Sequence, residues 1–422
     1  MKKIFFFLFF AITLSGFSQQ INDTINSLKL REKRQLTISL PPSFQSEPNR
    51  RYPILFLMDG DYLMAPFQGA LTYGNYWEDL PELIVVGLTQ NDKDERSTDC
   101  TLDAVTGLPE GKGEVFYEFI AQELIPYIQQ KYKGGEFKII AGHDITASFL
   151  NVFLYKDDPV FDAYISLSPE LASGMEEQIP DRLANIKKPL FYYHSTAEGD
   201  VKKMREKIFT LDKSITAYKA KTVNYQFDDF KSSSHYGLVL NSIPNALYQI
   251  FAVFPPISVS EFNEKIAPLS KGFVDYLEAK YNVIEKTLQL KMPIRLNDFK
   301  AIEAAILKNK AYDELEKLSA LARKSYPKSM LADYELALMH EKKDDKKNAS
   351  KFYMLAFQKD PIGQLTKTMM LEKSNGIKST IVKKDKKVTY VDEGKDKETE
   401  DAGTEEGTEG TTEEPKKEET KP

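Results

Sequence analysis

A chain of 422 residues, 41% hydrophobic and 12% aromatic, is long enough for two or three domains and apolar enough to bury a sizeable core. Its formal charge of −6 is concentrated at one end: from Asp392 to Pro422 there are 13 acidic residues against 5 lysines, so everything before sums to about +2. A near-neutral body lacks the basic field that nucleic-acid binding requires, the single Cys100 excludes an internal disulfide, and His143, His194, His235 and His340 show no metal-ligand spacing, so neither a metal nor another cofactor is expected.

In chain order, residues 1–18 carry two lysines, an apolar run from Ile4 to Phe17 and a small residue, Ser18. This is the pattern of a secretory signal peptide, and it predicts a periplasmic or secreted protein. The apolar run is short for a hydrocarbon core of about 30 Å. No cysteine lies near the cleavage site for a lipid anchor, and the mature protein is expected not to span a membrane.

Residues 21–255 are expected to form one domain, and from Gln35 to about Pro255 the chain alternates short apolar runs with helical patterns. Leu36–Leu40, Ile54–Met58, Leu83–Leu88, Phe137–Ala141, Tyr164–Leu167, Leu190–Tyr193 and Val223–Phe227 read as strands, and 111–132, 147–155 and 243–254 as helices. The alternation predicts an α/β fold with a mostly parallel central sheet and flanking helices. Within it, FKIIAGHDITASFL reads as strand, sharp turn and helix, which projects Asp144 from the carboxyl edge of the sheet.

Several ordered motifs resemble the bacterial esterase family that includes the enterochelin-esterase-like hydrolases, which have the α/β-hydrolase fold. They are YPILFLMDGD from Tyr52, Arg96 with Asp99, FIAQELIPYIQQKY from Phe119, DAYISLSP from Asp162, and Ser234–Tyr236 where a catalytic histidine is expected. The resemblance covers about Leu36 to Phe254. It departs at the turn itself: where the family has Gly-His-Ser-x-Gly-Gly, this chain has Gly142-His143-Asp144-Ile145-Thr146-Ala147. The nucleophile has become a carboxylate, and two glycines that let a helix start hard against a strand have become Thr146 and Ala147.

The resemblance implies that His235 stands at the general-base position, with Glu198 or Asp200 to orient it. The backbone N–H of Ile145 and one from the turn at Gly60 and Asp61 stand at the oxyanion-hole positions. Asp59 and Asp61 read most simply as turn residues. A carboxylate has no proton to yield at neutral pH and is a weak nucleophile toward acyl carbon, so a degenerate esterase, a pseudoenzyme serving as a binding or scaffold module, is expected. In that state Asp144 and His235 would form a charged pair. Two active readings compete. One resembles the haloalkane dehalogenases and epoxide hydrolases, which attack an sp3 carbon with aspartate. The other is an esterase with a displaced nucleophile, with Ser148, Ser168 and Ser232–Ser234 as candidates.

Past Pro256 strand patterns stop. Residues 256–375 read as helical, with two units at 296–329 and 330–363 that repeat at 34 residues and resemble tetratricopeptide repeats. Such repeats commonly bind partner proteins, which makes an envelope partner the expected one; two units are few for independent stability and should pack against the preceding domain. Residues 376–422, rich in Lys, Glu, Thr and Gly, read as a disordered tail.

Overall fold

A computed structural model describes residues 19–90, 94–218 and 220–392. The proposed signal segment lies outside them, as does the chain after 392.

The strands are β1 (Gln19–Ser27), β2 (Glu32–Leu40), β3 (Tyr52–Leu57), β4 (Ile84–Leu88), β5 (Gly134–His143), β6 (Ala163–Leu167), β7 (Leu190–Ala197) and β8 (Val223–Phe230). They form one sheet in the order β1-β2-β4-β3-β5-β6-β7-β8. β1, β2 and β4 pair antiparallel, and every pairing from β4 through β3 to β8 is parallel. The seven strands expected from the sequence are present. The eighth, β1, is a polar edge strand (QQINDTINS) whose pattern carries no apolar run. β3, β4 and β6 are buried at every position, as strands covered on both faces must be.

Helices cover both faces. The first, α1 (Gly60–Tyr76), leads from β3 toward β4, and α2 (Glu95–Asp99), α3 (Lys112–Glu118) and α4 (Ile125–Lys131) lead to β5, with a π-helical segment at Phe119–Leu124 between the last two. After β5 come α5 (Ile145–Phe149) and a 3-10 stretch, Leu150–Tyr155; α6 (Met175–Asn185), α7 (Lys202–Tyr218) and α8 (Leu238–Ile250) follow β6, β7 and β8. One core, containing Ile54, Phe56, Phe116, Phe119 and Phe153, lies on one face. The other face carries Leu55, Leu57, Phe67, Ile139 and Leu247, and this second core runs on without a break into the remaining helices.

Those helices are α9 (Val259–Glu261), α10 (Phe273–Leu288), α11 (Leu296–Asn309), α12 (Glu314–Ser325), α13 (Leu331–Lys342), α14 (Lys346–Phe357) and α15 (Lys367–Asp392). α11 with α12 and α13 with α14 form successive helical hairpins that lie inside the two repeat units read from the sequence. Phe251 and Phe254 share the core with Leu288, Ile294, Phe299 and Ile302, so the helical region covers apolar surface that the sheet and α8 would otherwise present to water. Where the sequence reads a tail from 376, α15 carries helix through Asp392, anchored by buried Met370 and by Ser374, whose hydroxyl bonds Ser350 at 2.8 Å. Among the described residues, no helix is long and apolar enough to cross a membrane.

Candidate functional site

The site is built at the carboxyl edge of β3, β5, β6 and β7. At the end of β5 the chain reverses into α5 through Asp144, whose φ of 64° and ψ of −117° lie where few non-glycine residues are found. The bend is pinned on both sides: the Asp144 N–H donates to the Leu167 carbonyl at 3.0 Å, and its own carbonyl accepts from Ser148 N–H at 3.0 Å and Glu170 N–H at 3.2 Å. A β-carbon on Gly142 would come within 2.6 Å of the Thr146 hydroxyl and 2.8 Å of the Thr146 backbone carbon, so the glycine that the chain retains is the one this turn needs.

Thr146 does not undo the elbow; it is tied into it. Its hydroxyl donates to Asp59 and accepts from the His143 N–H at 2.9 Å. Asp59 is therefore more than the turn residue its position after β3 suggests. Buried, it also accepts from the His143 N–H at 3.1 Å and from Arg96 Nε at 2.6 Å. Arg96 in turn donates to the His143 carbonyl at 2.7 Å and reaches the Asp144 carboxylate at 3.5 Å. The Asp59 carboxylate, against the cost of burial, holds the guanidinium firmly charged.

Across from Asp144, after β8, His235 Nδ1 lies 2.8 Å from the Asp200 carboxylate. Asp200 also accepts from Thr196 Oγ1 at 2.7 Å and the Ala197 N–H at 2.9 Å, which fix its orientation. Burial pushes the Asp200 carboxyl up, but the bonds it accepts from His235, Ser168 and the Ala197 and Thr196 groups outweigh this and hold it at about 2. The bond to Asp200 raises the His235 pKa in return, against its own burial. This pairing commits Nδ1 and leaves Nε2 for proton exchange. Of the two carboxylates open to this position in the sequence, the structure brings Asp200 to His235; Glu198 follows β7 too, but its backbone N–H bonds Phe230 and its side chain is exposed.

The charged pair expected between Asp144 and His235 is not the one formed. Asp144 pairs with Arg96, and His235 pairs with Asp200. The reason is geometric: α2 delivers Arg96 across the mouth of the β3–α1 turn, where Asp59 holds it against the elbow. Between the two histidines the contact is by their rings, 4.5 Å apart, and His143 Nε2 lies 3.1 Å from the His235 carbonyl. Since a carbonyl only accepts, Nε2 carries the hydrogen, and Nδ1 accepts from the Tyr62 hydroxyl at 3.1 Å. Burial and the neighbouring His235 lower the His143 pKa, consistent with a neutral ring that acts as a spacer.

Ile145 opens α5 immediately after Asp144, and Gly60 and Asp61 open α1 beside the elbow; Asp61 accepts the Gln90 N–H at 3.1 Å. A β-carbon on Gly60 would lie 2.6 Å from the Gly87 backbone, so glycine lets α1 start against β4. Of the serines weighed as displaced nucleophiles, Ser148, Ser168, Ser233 and Ser234 already hold hydrogen bonds or near contacts of their own. Ser168 Oγ is 3.4 Å from His235, but on Nδ1, the nitrogen that Asp200 holds, and the residue is fully buried. Ser148 accepts from the Ala172 N–H at 3.2 Å, Ser233 from Asn241 at 2.7 Å and Ser234 from the Gly237 N–H at 3.0 Å. A cavity of about 1000 Å³ lies away from Asp144, between the β1–β2 edge, α1 and the helical region. The carboxyl edge of the sheet is where the chemistry-bearing groups converge.

Sequence comparison adds to this geometry. The profile of the family described as "Putative esterase" matches residues 27–171, which include β2 through β6 and the elbow. The fold is that of an esterase-like α/β-hydrolase. A solved structure of an uncharacterised protein from Capnocytophaga ochracea is 29% identical, with a TM-score of 0.77 over 86% of this chain and 100% of that one, a share that extends past the sheet into the helices. An IroE-like serine hydrolase from Shewanella oneidensis has the same fold at 16% identity, with a TM-score of 0.57 over 72% of this chain and 99% of that one. No curated protein matches the chain. Within the esterase-like domain, Arg96 was legible only as part of a family motif; nothing in its spacing announced that it would neutralise the residue at the nucleophile position.

Proposed function

We propose that the esterase-like domain does not turn over acyl esters and serves as a polar binding module of an exported, envelope-associated protein. The observation that carries this reading is the residue at the elbow. Asp144 occupies the strained position, and its carboxylate faces Arg96, itself anchored to Asp59 and the His143 carbonyl. An ion-paired carboxylate is a poorer nucleophile than a free one and gives no proton for His235 to take. The fold and the His235–Asp200 pair are kept while the attacking hydroxyl is gone. Export is supported by the apolar run from Ile4 to Phe17, and β1 begins at Gln19, so cleavage after Ser18 would leave the sheet whole. The two helical hairpins, which resemble tetratricopeptide units, supply a second surface for a partner.

A second reading has one observation in its favour. An elbow aspartate with a His–Asp pair is the set an Asp-nucleophile hydrolase uses at an sp3 carbon. The test is a panel of short acyl esters, small haloalkanes and epoxides offered to wild type and Asp144→Ala. Equal background rates on every substrate are expected. Epoxide or haloalkane turnover lost in Asp144→Ala would establish the second reading, and ester turnover that survives Asp144→Ala would overturn both. Cell fractionation with and without residues 1–18 tests export: the shortened chain is expected to stay in the cytoplasm.

A further inference from the structure

Within the helical region, a cavity of about 250 Å³ lies between α11, α13 and the segment that precedes α15. Phe299, Leu331, Ile362 and Leu365 make its walls apolar. Set among them is Glu335, fully buried, with neither carboxylate oxygen engaged in a hydrogen bond. Glu303 from α11 lines the same cavity, with one oxygen 3.4 Å from the Tyr334 hydroxyl. Lys300 stands at its edge, solvent-exposed, and does not bond Glu335.

A buried carboxyl without a partner is held at a cost in folding free energy. Burial, with Glu303 adding to it, pushes the Glu335 carboxyl well above the ordinary carboxylate range. A cation entering the cavity would favour release of the carboxyl proton to solvent and repay that cost by pairing with both oxygens of the resulting carboxylate. We propose that this cavity binds the guanidinium or ammonium group of a basic side chain, seated between Glu335 and Glu303 with its aliphatic stem against the apolar walls. A guanidinium suits it best, because its planar fork can bond two carboxylate oxygens at once. The volume falls below the roughly 300–1,000 Å³ of pockets for drug-sized ligands, which fits one side chain rather than a larger molecule. Leu296, Lys300 and Gly363 also line the 1000 Å³ cleft, so a peptide inserting its basic residue here would have the adjoining cleft for its flanking residues. The site is independent of the reading given to Asp144.

Calorimetric titration of the full chain with N-acetyl-Leu-Arg-Leu-amide, with the same peptide carrying citrulline for arginine, and with argininamide tests it. The arginine peptide is expected to bind saturably, and citrulline, which keeps the shape but not the charge, to weaken binding at least about tenfold. Glu335→Gln is expected to lose at least about tenfold in affinity without a fall in thermal unfolding temperature, since no bond is removed. Tighter binding of the peptide than of argininamide would identify a protein partner, and equal binding a small basic ligand; either sustains the site. Absence of saturable binding by both probes at millimolar concentration would overturn it, as would equal affinities for arginine and citrulline peptides or for wild type and Glu335→Gln. The citrulline comparison decides the matter even if the variant does not fold.

Discussion

Replacing Asp144 with serine is expected to give the protein ester hydrolysis about 10²-fold above that of wild type, because on the proposed reading the attacking hydroxyl is what acyl transfer lacks here. The elbow is held by backbone bonds to Leu167, Ser148 and Glu170, none of which involves the Asp144 side chain. His235 remains bonded to Asp200, with Nε2 available, and Ile145, Gly60 and Asp61 keep their places at the openings of α5 and α1. Arg96 loses a partner at 3.5 Å but keeps Asp59 at 2.6 Å, so it is not set loose. The check is the initial rate on p-nitrophenyl acetate and butyrate, with Asp144→Ser/His235→Ala as the control that should return to background. A gain that survives loss of His235 would mean that hydrolysis arises somewhere else.

The second large effect concerns stability. Asp59→Ala is expected to destabilise the protein by about 3 kcal/mol, at the lower end for breaking a buried ion pair because Arg96 is 25% exposed and can recover some solvent. The substitution takes one acceptor from each of Arg96 Nε, the Thr146 hydroxyl and the His143 N–H, although the last two keep each other and the His143 carbonyl at 2.9 Å. Asp59→Asn keeps an oxygen to accept two of them and should lose less. Thermal and urea unfolding of both variants measure this. An Asp59→Ala protein as stable as wild type would show that the carboxylate is no more than the turn residue its sequence position suggests.

The sheet was readable where burial on both faces forces continuous apolar runs, as in ILFL of β3 and IVVGL of β4. It was unreadable at β1, a mostly polar strand paired along β2 that sends Ile25 into the core. Asp144 could be placed because a strand, a retained glycine and a helix bracket it within one segment. Its electrostatic partner could not: Arg96 arrives from a distant loop, and only the three-dimensional course of α2 brings it to the elbow. Glu198 and Asp200 sit two positions apart, and spacing cannot say which one faces inward; the bonds from Thr196 and Ala197 to Asp200 decide it. The loss of two glycines suggested a damaged turn, whereas Thr146 replaces their space with hydrogen bonds to Asp59 and His143. Composition marked residues from 376 onward as tail, yet α15 extends to Asp392, continuing a helix whose buried contacts lie before that point.

The most direct measurement is the intact mass of purified wild type and Asp144→Ser after exposure to a fluorophosphonate, which phosphonylates an activated serine and displaces fluoride. Wild type should keep its mass, and Asp144→Ser should gain one phosphonyl group at residue 144. A label on any serine of the wild-type chain, above all Ser168 beside His235, would show a working nucleophile and contradict the claim that Asp144 has silenced this esterase-like site.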